Sequence, residues 1–582
     1  MPFFDLKFLN GLAASRVGTL NRRHRDGLLS VGLGELVPHG DARNSVLGAF
    51  AVGAILLGSF LSGVIAARVL GVSASGTVLY VVWVVVLISP VVDVGLPSAA
   101  VRFVSEIRGQ GRSDQAERLS RHLARVLAVP VLIASCAIVA ILLLYGRVGR
   151  WPLRIGEPAG RFGFEALALL LAFFIAVQAF ASFGYSYLRG IQAFNTVTRL
   201  AVMSLAMQVV CVAVGSAYFG VVGAIAGYAV GPVLPAVASL RLLRRSGPVE
   251  RSLRERVRPY ARSAWIANMA NTLVTSRVEV LFLERYWGSD AVAMFGIALA
   301  LTALAAQGPM LLTTGLLPSL AEKHGRGDVE GMRESFATGT RLLAALAFPA
   351  CLGITAIMPA LLPLIYGAAF AEAGPAAMIL ACGAGAGVIG VVATNVTQAM
   401  GRNDFILFSS LFGAALAVSS GFLVVPTFGV MGAAVARTAI QVAMLAIVLW
   451  FVAQHLGYRP PFAALGRLLL AALVAASSAA LCVAAINPPF SVLIAVPAAI
   501  VAYLVALRMT SALPVSDVVQ LAELSRALPS PLADLAERVL SFVSGAGPVS
   551  KDERTQQAGG GSFAVLRSRS QTAFDKQGRR SG

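Results

Sequence analysis

The chain has 582 residues, of which 57% are hydrophobic and only 13% charged, with a mean hydropathy of +0.78. So few charges cannot cover a water-facing surface, which excludes an ordinary soluble enzyme and a largely disordered chain. The net charge of +19 would suggest nucleic acid as partner for a soluble protein. Here no nucleic acid is expected, and the basic residues are read for the side of the membrane on which they sit.

Residues 1–44 read as a basic N-terminal tail carrying Arg22, Arg23 and Arg25, and the apolar run after it is too long for the core of a cleavable signal. A helix needs about 20 apolar residues to cross a hydrocarbon core of about 30 Å. Fourteen such stretches follow. Six, at 46–67, 77–97, 122–145, 165–188, 198–219 and 221–243, form a first lobe over 45–243. A basic linker at 244–260 separates them from six more, at 261–286, 289–316, 335–358, 374–398, 405–425 and 429–453, which form a second lobe over 261–453. Two further spans, 465–486 and 490–509, occupy 465–509. The fold class is therefore an all-α polytopic membrane protein of about fourteen transmembrane helices. Residues 510–582 form a tail in which 532–543 (LADLAERVLSFV) suits an amphipathic surface helix. From Gly545 onward, Gly, Ser, Gln and charge predict disorder.

The loops fix the orientation. With the N-terminus inside, the inner segments ahead of the tail carry 28 Lys and Arg and the outer loops six. That excess puts both termini in the cytoplasm. The richest stretch, 241–262, should lie on anionic headgroups. Only Lys7, Lys323, Lys551 and Lys576 are lysines. A GC-rich genome accounts for the arginine bias; bidentate phosphate binding is the functional alternative. The five cysteines stand singly in apolar stretches and read as packing residues, so no disulfide, metal or other cofactor is expected.

The two lobes resemble each other. Arg68-x-x-Gly71 and Arg285-x-x-Gly288 precede the second and eighth spans. Gly95-Leu-Pro-Ser-Ala and Gly315-Leu-Leu-Pro-Ser end them, and Phe219-Gly-Val-Val-Gly and Phe428-Gly-Val-Met-Gly open the sixth and twelfth. The offsets are 217, 220 and 209 residues. Each unit holds an even number of spans, so the two six-helix lobes are in direct repeat, with two extra C-terminal helices. A pseudo-two-fold axis along the membrane normal and a central cavity opening alternately to either side follow as expectations.

The chain resembles the polysaccharide biosynthesis and export flippases (O-antigen and oligosaccharide flippases) of the multidrug/oligosaccharidyl-lipid/polysaccharide superfamily. The resemblance covers about residues 45–455. It is carried by Ala66-Ala-Arg-Val-Leu-Gly71 with Gly76, Gly95-Leu-Pro-Ser-Ala-Ala with Arg102 and Glu106, Arg277-x-Glu279, Leu364-Ile-Tyr-Gly367, Gln398-Ala-Met-Gly-Arg402 and Gly429-Val-Met-Gly-Ala-Ala434. It implies two six-helix lobes and movement of a polyprenyl-diphosphate-linked glycan from the inner to the outer leaflet. Membrane lipids, glycosyltransferases and a polysaccharide polymerase of a lipopolysaccharide or related surface-polysaccharide pathway are the implied partners. The family pattern has aspartate where this chain has Glu279.

An ionisable residue within a span costs about 2.5–3.5 kcal/mol on insertion scales and needs an explanation. Arg437 lies eight residues past Gly429 and Arg277 ten residues before Trp287. These spacings put them about 12 and 15 Å deep. As a pair they suit a diphosphate; snorkelling, or pairing of Arg277 with Glu284, is the alternative. Asn268, Thr272, Thr275 and Glu279 follow i, i+4, i+7, i+11 spacing, as do Gln178, Ser182, Tyr185 and Arg189 in the fourth span. Each set forms a narrow polar face, which lines a cavity or bonds to a neighbouring helix. Arg277 sits about 200° from Glu279, so either the span is broken there or Arg277 meets another helix. The candidate substrate contacts are Arg277 and Arg437 for the diphosphate and Gln178, Tyr185, Asn268 and Thr275 for sugar. Glu279 is a candidate for proton or sodium coupling, and so is Asp93, which also reads as an ordinary interfacial acid.

Three other readings compete. A peptidoglycan-precursor (lipid II) flippase shares the diphosphate cargo. A cation-coupled multidrug exporter should carry acids in its first lobe, where the first span has none. A membrane glycosyltransferase or polymerase needs acids or bases on a large outer loop, whereas the loop at 146–164 offers only Glu157 among four arginines. No P-loop is present, and no enzyme activity is expected.

Overall fold

A computed structural model describes residues 39–148, 159–243, 247–275, 278–310, 313, 316–455, 457–486, 490–514, 517–518, 521 and 538–543. Among these the chain is helical throughout, without a strand. The first lobe comprises α1 (His39–Leu70), α2 (Val72–Val92), α3 (Leu96–Gly109), α4 (Ser113–Val148), α5 (Ala159–Gly190), α6 (Phe194–Val230) and α7 (Val233–Leu240). The second comprises α8 (Arg251–Thr275), α9 (Glu279–Trp287), α10 (Ser289–Met310), α11 (Leu316–Gly325), α12 (Val329–Tyr366), α13 (Gly374–Ala399), α14 (Asn403–Leu423) and α15 (Val425–His455). The helices α16 (Phe462–Ala485) and α17 (Phe490–Thr510) follow.

Among the described residues twelve helices are long and apolar enough to cross a membrane, against fourteen apolar stretches in the sequence. The difference has two local causes. The fifth and sixth stretches run on as α6, whose 37 residues are interrupted at Gly220, with φ 60° and ψ −138°. A Cβ built on Gly215 would lie 2.2 Å from the carbonyl oxygen of Gly223, and one on Gly227 2.5 Å from the nitrogen of Val212. Residues before and after Gly220 thus face each other in reverse order, so α6 is an antiparallel helical hairpin packed through small residues. The repeat-related Gly429 interrupts α15 in the same way, with φ 54° and ψ −132°. This conformation is open to glycine and strained for other residues. Phe405 of α14 stacks on Phe451 of α15 with 3.7 Å between ring centroids, across the second hairpin.

The other cause is the seventh stretch. Its described residues fall in α8 and α9, on either side of residues 276–277, and neither of these helices qualifies as a span by itself. α8 opens with Arg251, Arg254, Arg256 and Arg258, and α9 has only nine residues. The second stretch also ends earlier than expected, at Val92. Pro90 lies in the last turn of α2, and left-handed Gly95, with φ 72°, starts α3. In the tail, the described part of 532–543 is helical at 538–543. The N-terminal tail before residue 39 lies outside the described residues.

Apolar burial holds each lobe together. One cluster, including Leu119, Leu127, Phe183 and Ile225, belongs to the first lobe but takes in Leu253, Val257 and Ala261 of α8. A second, around Leu283, Phe295, Leu362 and Phe370, belongs to the second lobe but takes in Ala67 and Tyr80 of the first. The lobes therefore share apolar core at both clusters. A third region packs α16 and α17 on α12 through Ala344, Leu468, Ala471 and Tyr503.

Candidate functional site

The seam between the lobes runs along α2 and α3. At the end near Gly71, α2 and α10 run side by side. Ser73 Oγ and Ser289 Oγ are 3.0 Å apart, and a Cβ on Gly76 would collide with the Ser289 carbonyl. Beside them, Arg68 of α1 donates from Nε to the Ile365 carbonyl at 2.6 Å and from Nη2 to the Leu364 carbonyl. The guanidinium thus caps the C-terminal end of α12, where the free carbonyls attract a cation.

At the opposite, basic end the partner of α2 and α3 is α8. Trp265 Nε1 donates to the Pro90 carbonyl at 3.1 Å, and Asn268 Nδ2 to Ser98 Oγ at 3.2 Å. Arg256 Nη2 meets Glu106 Oε1 at 2.6 Å, and the Arg102 guanidinium lies 4.5 Å from the Tyr260 ring centroid. Gly95 lets α8 come this close, since a Cβ there would lie 2.2 Å from the Ala261 carbonyl oxygen. Both ends of the seam are joined in this state.

The two halves of the seventh span have different neighbours. α8 leans on the first lobe, whereas α9 is fixed to α15 at both of its ends. Trp287 Nε1 donates to the Val425 carbonyl at 2.9 Å. Eight residues earlier, Glu279 faces Arg437, with Nη1 3.4 Å from both carboxylate oxygens. The Glu279 side chain is 2% exposed and that of Arg437 18%. Thr438 Oγ1 donates to the Ile379 carbonyl at 3.1 Å and holds this turn of α15 against α13. A second buried pair gives a contrast. Arg341 grips Asp517 in a fork, Nε to Oδ2 at 2.5 Å and Nη2 to Oδ1 at 2.8 Å. The Arg437 contacts are longer and use one nitrogen, so that guanidinium is held loosely.

The sequence candidates fall as follows. Arg437 and Glu279 come together, an arrangement the sequence did not foresee. Arg277 lies outside the described residues, between α8 and α9. Thr275 is the last residue of α8. Asn268 is half-buried and bound across the seam. Gln178 and Tyr185 are half-buried on α5, and Tyr185 packs against the cluster of Ala51, Ala54 and Val197. Asp93 is buried after α2, where its Oδ1 accepts from the Gly95 amide at 3.2 Å. That bond gives it a turn-forming role. Among the described residues no group of three His, Cys, Asp or Glu could hold a metal.

The seam contacts of Trp265, Tyr260, Arg256 and Arg68 escaped the sequence reading. A signal existed, because Gly95-Leu-Pro-Ser and Arg68-x-x-Gly71 stood out as repeated motifs and both prove to lie at the lobe junction. Arg341 also stood in a span as an ionisable residue without an assigned role.

Comparisons with known proteins agree with this architecture. The family model described as polysaccharide biosynthesis protein matches residues 43–324, and the MatE model matches residues 265–423. The fold is similar to that of the lipid II flippase MurJ in an inward closed conformation. The TM-score is 0.64 at 13% identity, over 79% of this chain and 97% of that one. An inward-facing multidrug resistance MATE family transporter of the MOP superfamily gives a TM-score of 0.56 at 16% identity, over 69% and 94% of the two chains. A MOP superfamily transporter from Pyrococcus furiosus, described as having a binding pocket of reverse polarity, gives 0.50 at 16% identity over 74% and 99%. At these identities the likeness is one of fold. No curated protein sequence matches the chain.

Proposed function

Because this chain belongs to the multidrug/oligosaccharidyl-lipid/polysaccharide superfamily, with the polysaccharide biosynthesis family matching its first lobe and the start of its second, we propose that it flips a polyprenyl-diphosphate-linked oligosaccharide across the bacterial cytoplasmic membrane. It is a multi-pass membrane transporter of that superfamily. In this reading the basic end of the seam and both termini are cytoplasmic, and the glycan moves to the outer leaflet for surface-polysaccharide assembly.

The observation that carries the reading is the loosely held Arg437, at mid-depth beside the start of α9. A sugar diphosphate cannot cross hydrocarbon without replacing its hydration. A buried guanidinium offers a planar fork for phosphate oxygens, whereas Glu279 engages only Nη1 at 3.4 Å. The incoming diphosphate would displace Glu279. A carboxylate so buried cannot remain charged without a partner, and a proton or sodium ion would meet that charge. Arg277, two residues before Glu279, would supply the second guanidinium. Asn268 is tied to Ser98 while the seam is joined. Opening the basic end would release it, with Thr275, toward sugar hydroxyls, and Gln178 and Tyr185 would serve from the first lobe. The polyprenyl tail would stay in lipid. Because α8 and α9 have different neighbours, α8 would swing while α9 stays on α15, and the two ends of the seam would open in turn.

The test is a deletion strain. Lipid-linked oligosaccharide should accumulate on the inner leaflet, and the intact chain should restore export. The Arg277→Ala/Arg437→Ala variant should reach the membrane in normal amount and restore none. Normal surface polysaccharide in that variant would refute the assignment of these arginines. Rescue of a strain lacking its lipid II flippase would move the cargo to the peptidoglycan precursor. A second reading, the cation-coupled drug exporter, has the MatE match over 265–423 in its favour. It predicts efflux of organic cations and no glycan phenotype.

A further inference from the structure

A polar cavity of about 200 Å³ lies at the basic end of the first lobe, away from the Arg437 site. It is lined by His122 and Arg125 of α4, Gly247, Pro248 and Val249 of the linker, and Arg254 of α8. Residues 118, 122 and 125 recur at i, i+4 and i+7, so Arg118 joins the same face of α4. A Cβ on Gly247 would lie 3.7 Å from Arg118 Nη1, which places that guanidinium against the linker backbone.

Three of the local acids are engaged elsewhere. Glu117 pairs with Arg121, Glu255 with Arg251 at 2.8 Å, and Glu250 accepts from Ser252 Oγ at 2.5 Å. Among the described residues no ion pair holds Arg118 or Arg254. The guanidinium groups of Arg125 and Arg254 at the cavity, and that of Arg118 against the linker beside it, repel one another, and an anion between them relieves that repulsion. The depth limits which anion. The span containing His122 ends at Leu144. Those 22 residues rise about 33 Å at 1.5 Å per residue, which sets the cavity at the level of one row of lipid headgroups.

We propose that this cavity is a binding site for a phosphate group, held between α4 and α8 by Arg118, His122, Arg125 and Arg254. Guanidinium forks from two helices match phosphate oxygens, and the imidazole adds a further donor. The bound phosphate ties the linker and α8 to the first lobe, beside the Arg256–Glu106 pair. The proposal does not depend on which cargo crosses the seam. The phosphate comes either from the headgroup of an anionic lipid or from a free phosphate in solution.

The experiment uses the full chain, purified and delipidated in neutral detergent. Binding is read by native mass spectrometry and by the shift in thermal unfolding, with phosphatidylglycerol or with inorganic pyrophosphate added. Arg118→Gln/Arg254→Gln is compared with Arg459→Gln/Arg467→Gln, which removes two exposed arginines elsewhere and the same charge. We expect saturable binding by the parent and the control, and affinity about tenfold weaker per arginine in the cavity variant. Binding of phosphatidylglycerol with that pattern identifies a lipid headgroup as the source. Binding of pyrophosphate alone with that pattern identifies a soluble phosphate. Equal affinity of cavity variant and control for both ligands overturns the site. Arg254→Lys keeps the charge without the fork, so it guards against a variant that fails to fold, and its affinity should fall between parent and double variant.

Discussion

Two buried ion pairs of different geometry separate a structural residue from a functional one. Arg341 and Asp517 form a fork with Asp517 fully buried, while Arg437 and Glu279 touch through one nitrogen. Removing one partner of a buried pair leaves an uncompensated charge and costs about 3–5 kcal/mol. Arg341→Ala and Arg437→Ala should both lower the unfolding temperature by a comparable amount. The double changes should part company. Arg341→Leu/Asp517→Leu should recover stability and transport together, because an apolar pair of similar volume replaces a latch. Glu279→Leu/Arg437→Leu should recover stability alone. Thermal unfolding measured beside oligosaccharide export decides this, and export by the second double variant would reduce the Arg437 pair to packing. Neither pair was legible in the sequence. Their partners stand 176 and 158 residues apart, and periodicity reports only on neighbours along one helix. The depth of Arg437 was legible, since it needs only a rise per residue counted from Gly429.

Elements were far more legible than contacts. A run of about twenty apolar residues is dictated by the thickness of the bilayer, whatever it packs against. That is why every apolar stretch has a helical counterpart. Helix ends answer to local chemistry that hydropathy does not weigh. Pro90 and left-handed Gly95 ended α2 early. The hairpin turns at Gly220 and Gly429 lie between, foreshadowed by nearly touching stretches and a shared Phe-Gly-Val motif. Their backbone conformation yields a prediction. Gly220→Ala should cost about 1–3 kcal/mol, because a Cβ is strained at φ 60° and ψ −138°. Gly53→Ala, exposed within α1 with open space around its Cα, should be neutral or stabilising. Unfolding midpoints of the two variants test the hairpin, and equal midpoints would argue against the turn.

For the whole molecule, alternating access demands that the two ends of the seam never be open together. Both ends are joined here, by Ser73 with Ser289 at one and by Asn268 with Ser98 at the other. A transporter passing between states must break one set while keeping the other. Cysteine pairs put this to the test in a chain whose five native cysteines are replaced. The Oγ–Oγ distance of 3.0 Å between Ser73 and Ser289 is short enough for a disulfide to form there with little backbone movement. Oxidised Ser73→Cys/Ser289→Cys should abolish export, and reduction should restore it. Ser98→Cys/Asn268→Cys, joined by a short thiol-reactive crosslinker because the 3.2 Å contact is made by the longer asparagine side chain, should likewise abolish export from the basic end. The first lock should still admit cargo from the basic side, so lipid-linked oligosaccharide should copurify with it. The second should exclude cargo, because the entrance itself is shut. Undiminished export through either locked pair would mean that this seam is not the path. Equal cargo retention by both would mean that the basic end is not the entrance.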